Sequence, residues 1–156
     1  VNKISFDNLM FPEPQSEMEA RFSMEYAIAL AVTKGVLKLA DFRPDAIGDA
    51  AVRAWLPRVK MTLSPAADPL PSADNGREPA KVIVKTKDGR IFETFNQRAR
   101  GVLQNPLSDD EMWAKFDDCL AGIMDAGQAD EIRACLGSFE DLENVGDMMH
   151  LLRTPS

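Results

Sequence analysis

The stretch SEMEARFSMEYAIALAVTKG, Ser16 to Gly35, decides the fold class. Ser16 is placed to cap a helix start, and Glu19, three residues on, to reach back to the cap's own amide, so that two orphan donors find acceptors. Pro12 and Pro14 keep the preceding chain extended. Met18, Phe22, Ala29, Leu30 and Thr33 recur at helical spacing with Tyr26 among them, and Gly35 suits a left-handed terminating residue. These signals predict one helix of about five turns.

Upstream, Ile4 and Phe6 alternate with Lys3, Ser5 and Asp7, which predicts a short strand from Asn2 to Asp7. Downstream, Pro44 is a favoured first helical position, and Gly48 and Asp49 open a short helix through Val52, Trp55 and Leu56 that Pro57 helps to end. Val59, Met61 and Leu63 alternate with Lys60 and Thr62 as in a strand with one buried face. Ser64 to Pro79, with Pro65, Pro69, Pro71, Pro79 and Gly76, has the composition of a mobile surface loop. Lys81 to Thr86 and Ile91 to Phe95 flank Asp88-Gly89, the signature of a hairpin with a type I′ turn. In that register Val82 faces Phe95 and Thr86 faces Ile91, giving one largely apolar face with Glu93 as its exception.

Ser108 caps a further helix with Glu111 completing a capping box, and Asp109 and Asp110 favour its positive dipole end. Met112, Phe116, Leu120 and Ile123 are its expected buried stripe. Gly127 and Gly137 bracket a short helix carrying Ile132, Cys135 and Leu136. Ser138 with Asp141 starts the last helix, whose inward face is expected to be Phe139, Leu142, Val145, Met149 and Leu152. The result is an α+β fold: a small, mostly antiparallel sheet of three or four strands covered by about five helices. Residues 1–126 form the main domain, and 127–156 a C-terminal helical extension packed on it.

Of 156 residues, 45% are hydrophobic and 28% charged, ordinary values for a globular chain that argue against disorder. The balance of 18 Lys and Arg against 25 Asp and Glu gives −7. Such a surface disfavours nucleic acid and anionic membrane as partners. No apolar run approaches the roughly 20 residues of a membrane span, and no signal peptide is evident, so a cytoplasmic product is expected. The chain opens on Val1 rather than methionine, which reads as a processed or excised piece of something longer.

Cys119 and Cys135 lack a neighbouring Cys or His at metal-ligand spacing and read as buried or half-buried free thiols. His150, the single histidine, reads as a surface or capping residue near a helix C-terminus. No phosphate loop or dinucleotide fingerprint is present, and one histidine with no cysteine cluster argues against a conventional metal site. Tyr26 is the residue of interest. A phenol donates a hydrogen bond to a carboxylate or delivers a proton, or else packs in a core with its hydroxyl satisfied.

The order of several segments is more specific than any one of them. ARFSMEYAIAL from Ala20, ADF from Ala40, V-x-A-W-L-x-x-V from Val52, KDGR from Lys87 and RGVLQNPLSDDEMWAKF from Arg100 together resemble the C-terminal region of the MmgE/PrpD family. The resemblance covers Asn2 to Ile123. It implies the smaller α+β domain of a cofactor-independent, 2-methylcitrate dehydratase-like lyase or isomerase, acting on small polycarboxylates by proton abstraction beside a carboxylate. It further implies an all-helical N-terminal domain of the same protein as partner, a homodimer, and a lysine- and histidine-bearing catalytic segment upstream, without which the chain is inactive in isolation. Tyr26 matches the tyrosine of the family's FS-x-x-Y pattern and becomes the candidate catalytic residue. Arg98 and Arg100 are candidate substrate-binding residues that offset the net negative charge. The competing expectation is a non-catalytic interaction domain that keeps the fold and docks a protein through its acidic helices or hairpin edge.

Overall fold

Side-chain caps start most of the helices. A computed structural model describes residues 1–63 and 79–153, among which are eight α-helices and one two-stranded antiparallel sheet. Two compact units divide the chain, Val1–Leu107 and Ser108–Ser156. The fold is α+β as expected, with two strands in place of three or four. The proline-bearing stretch lies outside the described residues apart from Pro79.

The first unit opens with α1, Lys3–Asn8, where a strand was expected. The Asn2 side chain accepts from the Ser5 amide at 2.8 Å, and Lys3 pairs with Asp7 one turn on at 2.7 Å. Two apolar residues in a six-residue run do not separate a period of 2 from one of 3.6, so the cap and the i,i+4 pair decide.

The expected five-turn helix is two helices, α2 (Glu17–Arg21) and α3 (Met24–Lys34). Ser16 caps α2 through the Glu19 amide, while the Glu19 carboxylate accepts from the Gln15 amide at 2.7 Å rather than from that of Ser16. The Phe22 and Ser23 amides bond three residues back, to Glu19 and Ala20, which closes α2. The Ser23 hydroxyl then accepts from the Tyr26 amide at 3.1 Å and starts α3. A serine able to bond its neighbouring backbone competes with helix continuation, and here it wins. Gly35 ends α3 with φ +78°, its amide bonding to the Ala31 carbonyl at 3.0 Å. That left-handed stop is the one the sequence predicted.

A 3₁₀ turn at Leu39–Phe42 leads to α4 (Pro44–Ile47), with Pro44 at its start, and to α5 (Ala50–Arg53), capped by Asp49. Tyr26, Ala29 and Leu30 from α3 pack with Ala20, Ile47, Val52 and Leu56, and Phe42 and Trp55 close over them. This is the core of the unit. Val59 is extended (φ −94°, ψ 134°), but residues 59–63 join no sheet among the described residues.

The sheet is the hairpin of β1 (Ala80–Lys85) and β2 (Ile91–Asn96). Its register is one residue away from the expected one: Lys85 faces Ile91, Val82 faces Thr94 and Lys81 faces Phe95. The Gly89 amide bonds to the Thr86 carbonyl, and the Thr86 amide to the Arg90 carbonyl, both at 3.0 Å. Gly89 has φ +85°. This is a three-residue loop, a type I turn followed by a left-handed glycine, in place of the two-residue turn. A slip of one sends Ile91 and Phe95 to the face of Lys81 and Lys85, away from Val82 and Val84. The strand charges Lys81, Lys85 and Glu93 therefore share a face with Ile83, Ile91 and Phe95, the face of Val82, Val84, Phe92 and Thr94 carries none, and Val82, Ile83, Val84, Ile91, Phe92 and Phe95 are all exposed.

In the second unit, α6 (Asp109–Leu120) carries the predicted capping box: Glu111 donates its amide to Ser108 at 3.3 Å and accepts from the Ser108 amide at 2.7 Å. Its expected buried stripe is not buried, since Met112 and Ile123 are more than half exposed. Helix α7 (Ala126–Gly137) starts on Asp125 and contains both glycines expected to bracket it. Ser138 opens only a 3₁₀ turn, Phe139–Asp141, and α8 (Val145–Leu151) starts instead on Asn144. Phe139, Val145, Met149 and Leu152 are exposed rather than inward. Ile132 is the buried hydrophobic of this unit among the described residues. Arg133 lies 4.9 Å from the Trp113 ring centre and pairs with Asp117, so cation–π and ionic contacts do much of the joining of α6 to α7. No helix among the described residues is long and apolar enough to cross a membrane.

Candidate functional site

Helix α3 places Tyr26 at its first turn, with the ring fully buried and edge-on to Phe42 at 6.0 Å between centres. The hydroxyl donates to the Asp41 carbonyl at 2.6 Å, and the Ala46 carbonyl lies at 3.4 Å. Burial first, and then the carboxylates of Asp41 and Asp49, push the phenol above its ordinary value of 10.0, against the opposing charges of Lys34 and Arg53. In this arrangement Tyr26 is a protonated donor that ties α3 to the turn before α4.

The same turn is held from the other end of α3. Lys34 pairs with the Asp41 carboxylate at 2.6 Å, and that carboxylate also accepts from the Lys38 amide at 2.8 Å. Burial works to raise the Asp41 carboxyl, and the Lys34 ammonium and Lys38 amide outweigh it, holding it below its ordinary 3.8. The hydrogen bond to Asp41 likewise holds Lys34 above 10.5. One residue, Asp41, thus accepts from Tyr26 with its backbone and from Lys34 with its side chain. Nothing in the spacing of Lys34 and Asp41 announces this, because the contact crosses a helix end.

Glu25 was missed at the sequence level. It is buried beside Tyr26, and its Oε2 has no hydrogen-bond partner among the described residues.

Arg98 and Arg100 lie in the segment after β2, where Asn105 gathers them. Its amide nitrogen donates to the carbonyls of Arg98 and Ala99, both at 3.3 Å, and its oxygen accepts from the Arg100 guanidinium at 2.9 Å. The Gly101 amide closes the loop on the Asn105 carbonyl at 2.8 Å, with Gly101 at φ +96°. The structure therefore brings the two arginines into one built loop, whereas the hydrogen bonds of Tyr26 run to Asp41 and Ala46. Asn105-Pro106 is the turn signal from which the organising role of Asn105 was readable.

Cys119 and Cys135 are free thiols; Cys135 is half-buried as expected, but Cys119 is exposed. His150 is exposed in the last turn of α8. Among the described residues no group of three His, Cys, Asp or Glu side chains is placed to hold a metal ion.

A core built on the FS-x-x-Y helix, followed by the Asn105 loop and the capped α6, defines a small α+β domain. Residues 2–141 match the MmgE/PrpD C-terminal domain, and the chain belongs to that family. It is 27% identical over 145 residues to the cis-aconitate decarboxylase of Mus musculus, and 28% identical over 145 residues to that of Homo sapiens. Each match covers 93% of this chain and 29% of the relative, so the chain spans less than a third of the length of these proteins.

Proposed function

We propose that this chain is the C-terminal domain of a cofactor-independent lyase that acts on a small polycarboxylate by abstracting a proton beside a carboxylate. The observation that carries the reading is the family match over residues 2–141, together with relatives named for decarboxylation of cis-aconitate. In this reading the substrate is held between this domain and an all-helical domain of the same protein, which supplies the proton-abstracting groups. Arg98 and Arg100, in the loop that Asn105 closes, present guanidinium charge to the substrate carboxylates. Tyr26 acts as a positioning residue while its hydroxyl donates to the Asp41 backbone carbonyl.

Assaying the 156-residue chain on cis-aconitate and 2-methylcitrate should give no turnover, and turnover by the chain alone overturns this division of labour. In the complete protein, Arg98→Ala and Arg100→Ala should each raise KM for whichever acid is turned over, with kcat less affected. An unchanged KM removes that arginine from the site.

A further inference from the structure

A groove of about 670 Å³ runs through the first unit, with Met24, Ile28 and Val32 of α3 along its floor and residues 58–62, which follow on from a 3₁₀ turn at Leu56–Arg58, on one wall. Its other wall is β1 alone. Every residue from Ala80 to Lys87 lines it and none of β2 does. A groove against the face of a sheet meets alternate residues of several strands, whereas consecutive residues of one strand mark that strand's edge. β1 has no neighbour on that side among the described residues.

The register fixes which backbone groups face the groove. Thr86 donates to Arg90 across the hairpin, so the Thr86–Arg90 pair is hydrogen-bonded, and with the alternation of an antiparallel ladder so are Val84–Phe92 and Val82–Thr94. The amides and carbonyls of Lys81, Ile83 and Lys85 therefore point outward, into the groove. Its charge is one-signed. Among the described residues, Arg58, Lys60, Lys81, Lys85 and Lys87 line it and no acidic residue does, in a chain of net charge −7. Lys81 already meets Glu93 at 2.7 Å and Arg58 lies over the Trp55 ring, which leaves Lys60, Lys85 and Lys87 to face an occupant.

We propose that this groove binds an extended peptide of alternating apolar and acidic residues, which adds as a third strand to the β1 edge. Its backbone pairs with Lys81, Ile83 and Lys85. One set of its side chains packs on the α3 floor and the other meets Lys60, Lys85 and Lys87. The occupant is a peptide rather than a small amphiphile because the wall offers a repeating donor–acceptor row, which a fatty-acid chain leaves unused. This proposal stands apart from the lyase reading and survives its failure.

The test is binding of a labelled peptide in which valine and glutamate alternate, followed by fluorescence polarisation on the 156-residue chain. A peptide with lysine in place of glutamate is the charge control, and oleate the competing amphiphile. Hydrogen exchange at the Lys81, Ile83 and Lys85 amides should be fast in the free chain and slow with the glutamate peptide. Ile83→Pro removes a donor that the hairpin does not use, so it should weaken the peptide roughly tenfold while leaving the fold intact. The double variant Lys60→Glu with Lys85→Glu gives an independent reading, a loss of roughly threefold to tenfold that shrinks in high salt. Equal affinity for the lysine peptide overturns the proposal. So does protection of the three amides before peptide is added, or saturable binding of oleate with none of the peptide.

Discussion

Removing one oxygen from Tyr26 leaves the ring against Phe42 but takes the Tyr26 donor from the Asp41 carbonyl, while the Ala46 carbonyl keeps the Asp49 amide. Tyr26→Phe should cost about 1–2 kcal/mol in urea unfolding, the cost of a buried acceptor left alone. In the complete protein its kcat/KM should stay within roughly tenfold of the wild type, whereas a loss of about a hundredfold or more would make the phenol a proton donor instead. Asp41 carries the pH dependence. Its folded pKa is depressed, so its contribution is present above 3.8 and is lost as pH falls through the lower folded value. Lys34 shows the opposite sign, contributing fully below 10.5 and losing that as pH rises through its raised value. Asp41→Asn should therefore lower stability at neutral pH by about 1–2 kcal/mol, a figure kept low because over a third of the Lys34 side chain meets solvent. Its difference from wild type in thermal melts should close in strong acid, and a gap that persists there would show that the carboxylate charge is not what stabilises the turn.

At the scale of elements, Ser23 is the junction. It is 2% exposed, and its hydroxyl replaces the backbone bond that a continuous helix would make. Ser23→Ala should cost about 1 kcal/mol and leave the break between α2 and α3 in place, because the Phe22 and Ser23 amides are already turned back to Glu19 and Ala20. Chemical denaturation with circular dichroism checks both statements, and a gain of helix content would mean that the cap itself causes the break. The caps at Ser16, Asp49 and Ser108 and the stop at Gly35 were legible because each is a contact between residues within four positions of each other. The hairpin register was not. Asp88-Gly89 fits a two-residue turn and a three-residue one equally, and the Thr86–Arg90 bond that chooses between them joins two residues with no turn signature of their own.

Across the whole molecule the two units differ in how their surfaces are buried. The first has a contiguous core from Ala20 to Leu56, while in the second Ile132 is the buried hydrophobic among the described residues, with Arg133 lying over the Trp113 and Phe116 rings. Local opening should accordingly cost less in the second unit, so amides of α6 and α7 should exchange with solvent faster than those of α3. Equal protection would show that the units open together. Met112 of α6 and Val145 and Met149 of α8 have the spacing of buried stripes and yet are exposed, because periodicity records which residues share a face and not whether anything covers it. By itself the sequence determined the α+β class, the helix caps at Ser16, Asp49 and Ser108, the left-handed stop at Gly35 and the MmgE/PrpD family, all of which depend on neighbouring residues or on the order of segments. Only the tertiary structure decided the burial of Tyr26, the Lys34–Asp41 tie, the gathering of Arg98 and Arg100 by Asn105 and the hairpin register. Each of these is a contact between groups whose separation along the chain says nothing of their distance in space.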